Sequence, residues 1–342
     1  RPWLQTIFPS YGDFKLAIYI WLASLSVAFL GVTNFALRLP SALAGIGTVI
    51  LGAILAWQTY EIFLEKTENK KNRTWFSLLT AIILTTSPWA LLFSRTGFEG
   101  HLAQFIFSAS MVSILRSYQV KKSIHKTLFF LLSLAFGSLA TYTYFSVRFV
   151  WSLVWGTAVL LIPIKNFFHS KKSSSIQSAS FYSIKNILLP LSLGGAIFLL
   201  SLTPMKNDQF YELSNNFRLS AKSVLTAHDY PLESNILREQ SGNSILSRIF
   251  YHRHWLLLRE LATNLSENLS LSFLFVNGDQ NLRHGTGFHG AFVLPLVFAL
   301  VLGVYRFAKK SIFLLVWLFI WWVAALIPAS VPLPVPHALR PL

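Results

Sequence analysis

Long apolar stretches separated by short polar connectors dominate this chain of 342 residues. A helix that crosses a bilayer needs about 20 mostly apolar residues. Eight stretches approach that length, at residues 41–61, 75–94, 101–116, 127–145, 147–164, 186–204, 289–305 and 311–329. The pattern predicts an all-α integral membrane protein, a helical bundle in which these stretches are the transmembrane segments.

Basic residues are concentrated in alternate connectors. The connectors after the first, third, fifth and seventh apolar stretches hold three or four Lys or Arg each: Lys66, Lys70, Lys71 and Arg73; Arg116, Lys121, Lys122 and Lys126; Lys165, Lys171, Lys172 and Lys185; Arg306, Lys309 and Lys310. The positive-inside rule places these connectors in the cytoplasm. Residues 1–40, 94–101, 144–148, 205–288 and 330–342 then lie outside, and residues 205–288 form one large external loop.

A ninth apolar stretch, Phe14–Val32, precedes the first of the eight. Because residues 1–40 are predicted to be external, this stretch does not make a simple crossing. We predict an interfacial or re-entrant helix there. The polar break "YTYFSVR" between the fourth and fifth stretches predicts a tight hairpin between two spans.

Composition agrees with a membrane protein. The chain is 54% hydrophobic and 12% charged, whereas a soluble domain has about 25% charged residues. The net charge of +16 lies largely in the connectors, so we attribute it to topology and predict no nucleic-acid partner. There is no cysteine, which excludes disulfides and thiolate metal sites.

Ionisable residues recur on the predicted outer side, at the ends of apolar elements. They are Asp13 and Lys15; Arg95, Glu99 and His101; Arg148; Asp279, Arg283, His284 and His289; His337 and Arg340. Each has an ordinary explanation: arginines snorkel, a glutamate favours a helix N-terminus, an aspartate occurs in turns, and histidines form structural hydrogen bonds. Their recurrence at similar depth nevertheless indicates a polar cup at the outer membrane boundary, because such groups are costly near lipid.

Transfer of a group from a lipid-carried phosphate to an acceptor would use such cations and carboxylates. Cations bind the phosphate, a carboxylate takes the proton of an acceptor hydroxyl, and cations or a metal stabilise the departing phosphate. The cup supplies five cations and three carboxylates: Lys15, Arg95, Arg148, Arg283 and Arg340; Asp13, Glu99 and Asp279. Asp13 and Glu99 are the candidate catalytic carboxylates. No compact metal-ligand set is visible in the sequence, so metal dependence stays open, with a divalent metal as a candidate cofactor.

Five segments carry a resemblance to a known family. They are "PSYGDFKLAIYIWL", "NFALRLPSALAGIGTV", "SPWALLFSRTGFEG", "SLSFLFVNGDQNLRHGTG" and "VPHALRPL". In order and spacing they resemble segments of bacterial glycosyltransferases of the GT-C superfold, which use polyprenyl-phosphate sugars. These enzymes are related to the protein O-mannosyltransferases (glycosyltransferase family 39) and the lipid A aminoarabinose transferases. The resemblance implies a single membrane glycosyltransferase domain over residues 1–342.

The resemblance also implies roles for individual residues. Lys15 matches the lysine on the carrier phosphate, and Glu99 matches an acidic residue needed for activity, with Arg95 in the same motif. The remaining matches are substrate- or phosphate-binding candidates: Asp279, Arg283 and His284 in the external loop, and His337 and Arg340 in the late turn.

The chain departs from the family pattern in two places. Leu16 and Ala17 stand where relatives have two prolines after the lysine. The principal catalytic aspartate of relatives precedes a "GRPW"-like stretch, and this chain begins "RPW". We therefore expect that aspartate upstream of Arg1, a fragment truncated at both ends, and no activity from the fragment alone.

The sequence thus predicts transfer of a sugar from a polyprenyl or dolichyl phosphate to a lipid, glycan or protein acceptor. The predicted location is the outer face of a bacterial plasma membrane. Two alternatives stay open: a transporter or lipid flippase, which the scarcity of charge within the spans disfavours, and a non-catalytic membrane scaffold.

Overall fold

The protein is predominantly helical. The computed structural model describes residues 5–11, 13–64, 70–172, 185–220, 223–285 and 287–338. Two strands, β1 (Ile7–Ser10) and β2 (Asp13–Leu16), precede the helices. In chain order the helices are α1 (Ala17–Leu30), α2 (Asn34–Leu64), α3 (Lys70–Thr86), α4 (Pro88–Arg95), α5 (Glu99–Gln119), α6 (Ser123–Thr141), α7 (Val147–Lys172), α8 (Lys185–Ser201), α9 (Thr203–Lys206), α10 (Tyr211–Ser220), α11 (Val224–Ala227), α12 (Tyr230–Gln240), α13 (Ile245–Phe250), α14 (Arg253–Asn268), α15 (Leu296–Lys310) and α16 (Ile312–Ser330).

The strands correct the all-α prediction near the N-terminus. They form an antiparallel hairpin in which Phe8 pairs with Lys15 and Ser10 pairs with Asp13. Burial in β2 alternates, with Phe14 and Leu16 buried between more exposed neighbours, which is the two-residue period of a strand. The helix predicted from Phe14 therefore begins at Ala17.

Fewer helices than predicted are long and apolar enough to cross a membrane. Among the described residues there are five such segments: Asn34–Leu64, Ser123–Thr141, Val147–Phe168, Ile187–Lys206 and Ile312–Ser330. Together, α3 and α4 make a sixth if they count as one span bent by 59°. The bend falls where Pro88 opens α4, because proline lacks the N–H that would continue the helix.

Two of the eight predicted spans, 101–116 and 289–305, belong neither to the five segments nor to the bent pair. Four buried serines lower the hydropathy of α5, which packs against α2 and α6: Ser108, Ser110, Ser113 and Ser117. The predicted span at 289–305 is helical only from Leu296, because the backbone N–H of Phe292 bonds the carbonyl of Leu274 instead. The 15 residues of α15 rise about 22 Å, short of the ~30 Å hydrocarbon core.

Tryptophans join the central helices. The indole N–H of Trp151 in α7 donates to the Ser110 hydroxyl of α5 at 2.8 Å, and that of Trp155 donates to the Ser133 hydroxyl of α6 at 3.1 Å. Buried indoles need such partners. The predicted hairpin between 127–145 and 147–164 is confirmed, since only residues 142–146 separate α6 from α7.

The segment after α9 returns to the end of the bundle. Within it, α14 packs against α16, and the Asn264 side-chain amide donates to the carbonyl of Ser330 at 3.0 Å. A short π-helical turn, Ser272–Val276, follows. This packing carries the glycine-rich loop after Val276 towards the residues that follow α16.

Candidate functional site

The first cluster of the candidate site joins the N-terminal hairpin to α5. Lys15 Nζ lies 2.6 Å from Glu99 Oε1 and 3.8 Å from Asp13 Oδ2. Lys15 and Asp13 share β2, where alternation puts both side chains on the more exposed face. Glu99 is the first residue of α5, where the helix dipole favours a negative charge. Three of the predicted site residues therefore meet.

Arg218 in α10 completes this first cluster. Its Nη2 donates to Asp13 Oδ1 and to the carbonyl of Phe14, both at 3.0 Å. Its guanidinium also lies 3.7 Å from the ring centroid of Phe145, a favourable cation–π distance. Sequence reasoning missed Arg218 because it lies inside the long loop, far from the end of any apolar stretch. Asp13 is thus flanked by two cations.

Arg148 also lies near the ring of Phe145. Its guanidinium is 4.7 Å from that ring centroid and donates to the sulfur of Met205. Arg148 therefore contacts Phe145 in the connector between α6 and α7, and Met205 in α9. Within the described residues it makes no hydrogen bond or ion pair with the glycine-rich loop, so it belongs to the edge of the first cluster.

The second cluster consists of Asp279, His284 and His337. Nδ1 of His284 lies 3.9 Å from Asp279 Oδ2, and Nδ1 of His337 lies 4.0 Å from it. The two imidazole centroids are 4.4 Å apart. One ligand atom from each residue lies within 4.8 Å of the other two. The external loop and the late turn, far apart in the sequence, thus form one cluster.

Backbone hydrogen bonds hold the buried carboxylate of this second cluster. Asp279 Oδ1 accepts from the N–H of Asn281, and Oδ2 accepts from the N–H of Ala338, both at 2.8 Å. The Trp89 indole N–H donates to the carbonyl of Ala338. The late turn is therefore attached to both the loop and α4.

Glycine is required where this loop folds on itself. A Cβ on Gly278, which has a φ of +71°, would lie 2.4 Å from the carbonyl oxygen of His289. A Cβ on Gly285 would lie 2.4 Å from the carbonyl oxygen of Asp279, and one on Gly290 would lie 2.4 Å from the backbone nitrogen of Phe275. The glycines of "GDQNLRHGTGFHG" therefore allow backbone segments to approach each other closely, in addition to forming the turn.

Phe98 connects the two clusters. Its ring centroid lies 5.3 Å from that of His284 and 5.5 Å from that of the buried Phe93. The next residue is Glu99, whose carboxylate bonds Lys15. The two clusters therefore adjoin through the connector between α4 and α5.

Arg95, His101 and Arg283 make no ion pair with either cluster within the described residues. Arg283 is exposed, and its guanidinium makes no ion pair within the described parts of the chain. Arg95 is exposed at the end of α4 and lines a separate apolar cleft. His101 is buried and also lines that cleft. Arg340 lies outside the described residues.

Two histidines and a carboxylate fit a metal ion such as Zn²⁺. This donor set is common in zinc sites with an open position. Although both oxygens of Asp279 accept backbone bonds, a carboxylate has about four lone-pair sites, so it can still act as a ligand. The sequence shows no compact ligand set because His337 is far along the chain from Asp279 and His284, and tertiary folding brings the three together.

No protein-family model, curated protein or solved structure matches the chain. The resemblance to GT-C glycosyltransferases therefore stays a prediction.

Proposed function

We propose that this chain forms a multi-pass membrane glycosyltransferase domain, which moves a sugar from a polyprenyl-phosphate carrier to a hydroxyl acceptor on the outer face. The observation that carries the proposal is the Lys15–Glu99 pair at 2.6 Å, placed beside the cluster of Asp279, His284 and His337. Carboxylates and a half-exposed cation at the end of an apolar helical bundle suit a substrate with a lipid tail and a phosphate head.

The reaction would be a single displacement. The acceptor oxygen bonds to the anomeric carbon while the bond from that carbon to the phosphate oxygen breaks, which inverts the configuration. The hydroxyl proton passes to a carboxylate, for which Asp13 and Glu99 are the candidates among the described residues. The phosphate leaves with the electron pair, and the Lys15 ammonium stabilises its developing charge.

Glu99 would position Lys15 by ion pairing. A lysine on a flexible stem loses much rotamer freedom when it is held in one geometry. The 2.6 Å contact fixes the ammonium before substrate binds, with Asp13 at 3.8 Å as a second anchor. Arg218 in turn holds Asp13 at 3.0 Å, so four side chains define where the phosphate would bind.

We include a divalent metal, held by Asp279, His284 and His337, in this proposal. When bound, such an ion supplies positive charge that can stabilise a phosphate oxygen. The Phe98 ring packs on the His284 imidazole with 5.3 Å between the ring centroids. This contact does not depend on the ion, and it holds the second cluster against the connector that carries Glu99.

An activity assay tests the proposed function. The full-length protein would be reconstituted in bilayer discs with radiolabelled polyprenyl-phosphate sugars and with lipid, glycan and protein fractions as acceptors. We expect label to leave the carrier in the presence of one acceptor class. Movement of the intact carrier lipid between leaflets, with no release of sugar, would instead support a flippase and overturn the proposal.

A further inference from the structure

The short helix α13 exposes its apolar residues and buries a polar one. Ser247 is 5% exposed, whereas the four large apolar side chains are between 59% and 79% exposed: Ile245, Leu246, Ile249 and Phe250. A helix that borders water has the opposite arrangement, with its apolar stripe against the core and its polar residues outside. The apolar side of α13 therefore suits a covering that the described residues do not provide.

The first half of α14 is exposed in the same way. Trp255 and Leu258, three residues apart and therefore on one helix face, are 55% and 54% exposed. The buried residues of α14 lie on another face: Leu256, Asn264 and Asn268. Neither α13 nor α14 is among the helices long and apolar enough to cross a membrane, so this exposure is not that of a membrane span.

The helix α12 supports both exposed surfaces. It packs against α13 and against α14, and its Ser234 hydroxyl donates to the carbonyl of Tyr251, which lies between them. Ser234 is buried. The apolar side chains of α13 and α14 are therefore carried by one connected group of helices.

Arginines accompany these apolar side chains, and no acidic residue does. Residues 244–259, "SILSRIFYHRHWLLLR", include Arg248, Arg253 and Arg259, and they include no Asp or Glu. All three arginines are exposed, and none forms an ion pair within the described residues. Basic residues beside Trp, Phe and Leu are typical of helices that lie in the head-group region of an anionic bilayer. The long stem of arginine packs on apolar surface while its guanidinium reaches a phosphate.

The attachment of α14 to α16 places this surface near a membrane boundary. The helix α16 is long and apolar enough to cross a membrane, and it ends at Ser330. The carbonyl of Ser330 accepts from the Asn264 side-chain amide at 3.0 Å, and the carbonyl of Val331 accepts from the N–H of Val224 at 2.9 Å. Both bonds lie where a membrane-crossing α16 would leave the hydrocarbon core, which is the depth of the lipid head groups.

We propose that α13 and the first half of α14 dock onto the head-group region of an anionic lipid bilayer. The docking surface, called the basic–apolar face, consists of the four exposed apolar side chains of α13, Trp255 and Leu258, and the three arginines of residues 244–259. The apolar side chains enter the boundary of the acyl chains, and the arginines bind lipid phosphates. The inference goes beyond the proposed function and does not depend on it, because it uses neither the Lys15–Glu99 pair nor the second cluster.

Depth measurements with nitroxide spin labels test this docking. The full-length protein, in bilayer discs of phosphatidylglycerol, would carry the label on a cysteine at one position of the face. Oxygen collides with the label most often within lipid, and a water-soluble nickel chelate does so outside it. We expect the labels of Ile249→Cys and Leu258→Cys to lie about 5–10 Å inside the boundary between head groups and acyl chains.

A label at Glu267→Cys is the matched control on the same helix. Glu267 is exposed and follows Leu258 by about two and a half turns of α14, so it points to the opposite side. Its label should be reached by the nickel chelate. The contrast between positions 258 and 267 therefore reports the orientation of α14 relative to the lipid.

The contribution of the arginines is read from the label at position 249. In discs of phosphatidylcholine this label should lie nearer to water than in phosphatidylglycerol, because the attraction to anionic lipid is lost. A triple variant of the face should lose this difference between the two lipids: Arg248→Gln, Arg253→Gln, Arg259→Gln. A second triple variant removes the same charge from exposed lysines outside the face and should keep the difference: Lys121→Gln, Lys122→Gln, Lys126→Gln.

The outcomes that overturn the proposal are distinct. If the nickel chelate reaches positions 249 and 258 as freely as position 267, the face lies in water. If neither oxygen nor nickel reaches them, a protein covers the face, and light scattering shows whether it is a second copy. Equal depth in the two lipids, or an equal effect of the lysine variant, overturns the assignment to anionic lipid. Depth is measured without substrate, so absence of sugar transfer overturns the proposed function and leaves the docking in place.

Discussion

Lys15 Nζ contacts Glu99 Oε1 at 2.6 Å, so an ion pair joins the N-terminal hairpin to the first residue of α5. The side chains are 34% and 13% exposed, which leaves the ammonium accessible to a ligand on one side. The two residues lie far apart in the sequence, in two of the segments on which the predicted GT-C resemblance depends. Their contact is the most specific geometric support for the proposed function.

Replacement of Lys15 or Glu99 should reduce sugar transfer. Lys15→Ala removes the cation proposed to stabilise the leaving phosphate, and we expect kcat to fall roughly 10²- to 10³-fold, as when one preorganised donor is removed. Glu99→Ala leaves Lys15 without its closest partner and should cost less. Steady-state transfer with radiolabelled polyprenyl-phosphate sugar measures both effects.

Lys121→Ala and Glu239→Ala are matched controls, because both residues are exposed and lie outside either cluster. If Lys15→Ala and Glu99→Ala both keep wild-type turnover in a protein that transfers sugar, the roles assigned to this pair are wrong.

Metal binding should depend on His284 and His337 together. The protein equilibrated with Zn²⁺ and then desalted should retain about one ion per chain, and His284→Ala with His337→Ala should abolish that retention, because only one protein ligand would remain. His125→Ala, an exposed histidine on α6, is the control. Elemental analysis by mass spectrometry gives the stoichiometry, and equal zinc in the double variant would exclude this site.

Sequence reasoning predicted the helical membrane class and the tight hairpin before Val147, because both follow from local hydropathy. It placed Lys15 in a helix, since composition did not reveal the two-residue burial period that hydrogen bonds from β1 impose. Arg218 was missed because its partner Asp13 is brought to it only by tertiary folding. The start of α15 at Leu296 depends on a backbone bond to Leu274, which no local pattern encodes.

Gly290→Ala should disrupt the second cluster. The added Cβ would lie 2.4 Å from the backbone nitrogen of Phe275 and 2.5 Å from the carbonyl oxygen of Leu274, so the backbone must move. We expect lower thermal stability and lower zinc retention. Gly303→Ala in α15, where a Cβ meets nothing within 4 Å, should be neutral or stabilising by up to about 1 kcal/mol. Equal melting temperatures for the two variants would contradict the packing described for the loop.

Asp208→Asn should weaken the attachment of β1. Asp208 Oδ2 accepts from the N–H and hydroxyl of Thr6 and from the N–H of Ile7, and Oδ1 accepts from the N–H of Phe210. An amide offers only one acceptor oxygen, so we expect a loss of about 1.5 kcal/mol, the low end for charged hydrogen bonds, since Asp208 is half-exposed. Glu212→Gln, on exposed α10 surface, is the control.

The same carboxylate predicts a pH dependence. Burial acts to raise the pKa of Asp208, but the hydrogen bonds from Phe210, Thr6 and Ile7 outweigh it, and the pKa lies below its ordinary value of 3.8. The folded state therefore binds this proton less readily than the unfolded chain. The contribution of the Asp208 carboxylate to the free energy of unfolding is complete above the ordinary pKa, and it is lost as the pH falls through the lowered pKa. Melting temperatures of wild type and Asp208→Asn should converge at acidic pH; a constant difference would contradict this account.

The orientation of the bundle can be tested with single cysteines, because these 342 residues contain none. We predict that Ser241→Cys, exposed in the loop after α12, reacts with a membrane-impermeant maleimide on intact cells. Lys122→Cys, exposed in a connector rich in lysine, should react only after permeabilisation. The unmodified chain is the blank. The reverse pattern would put the Lys15–Glu99 pair on the cytoplasmic side, which would exclude transfer at the outer face even if the lipid-phosphate chemistry were correct.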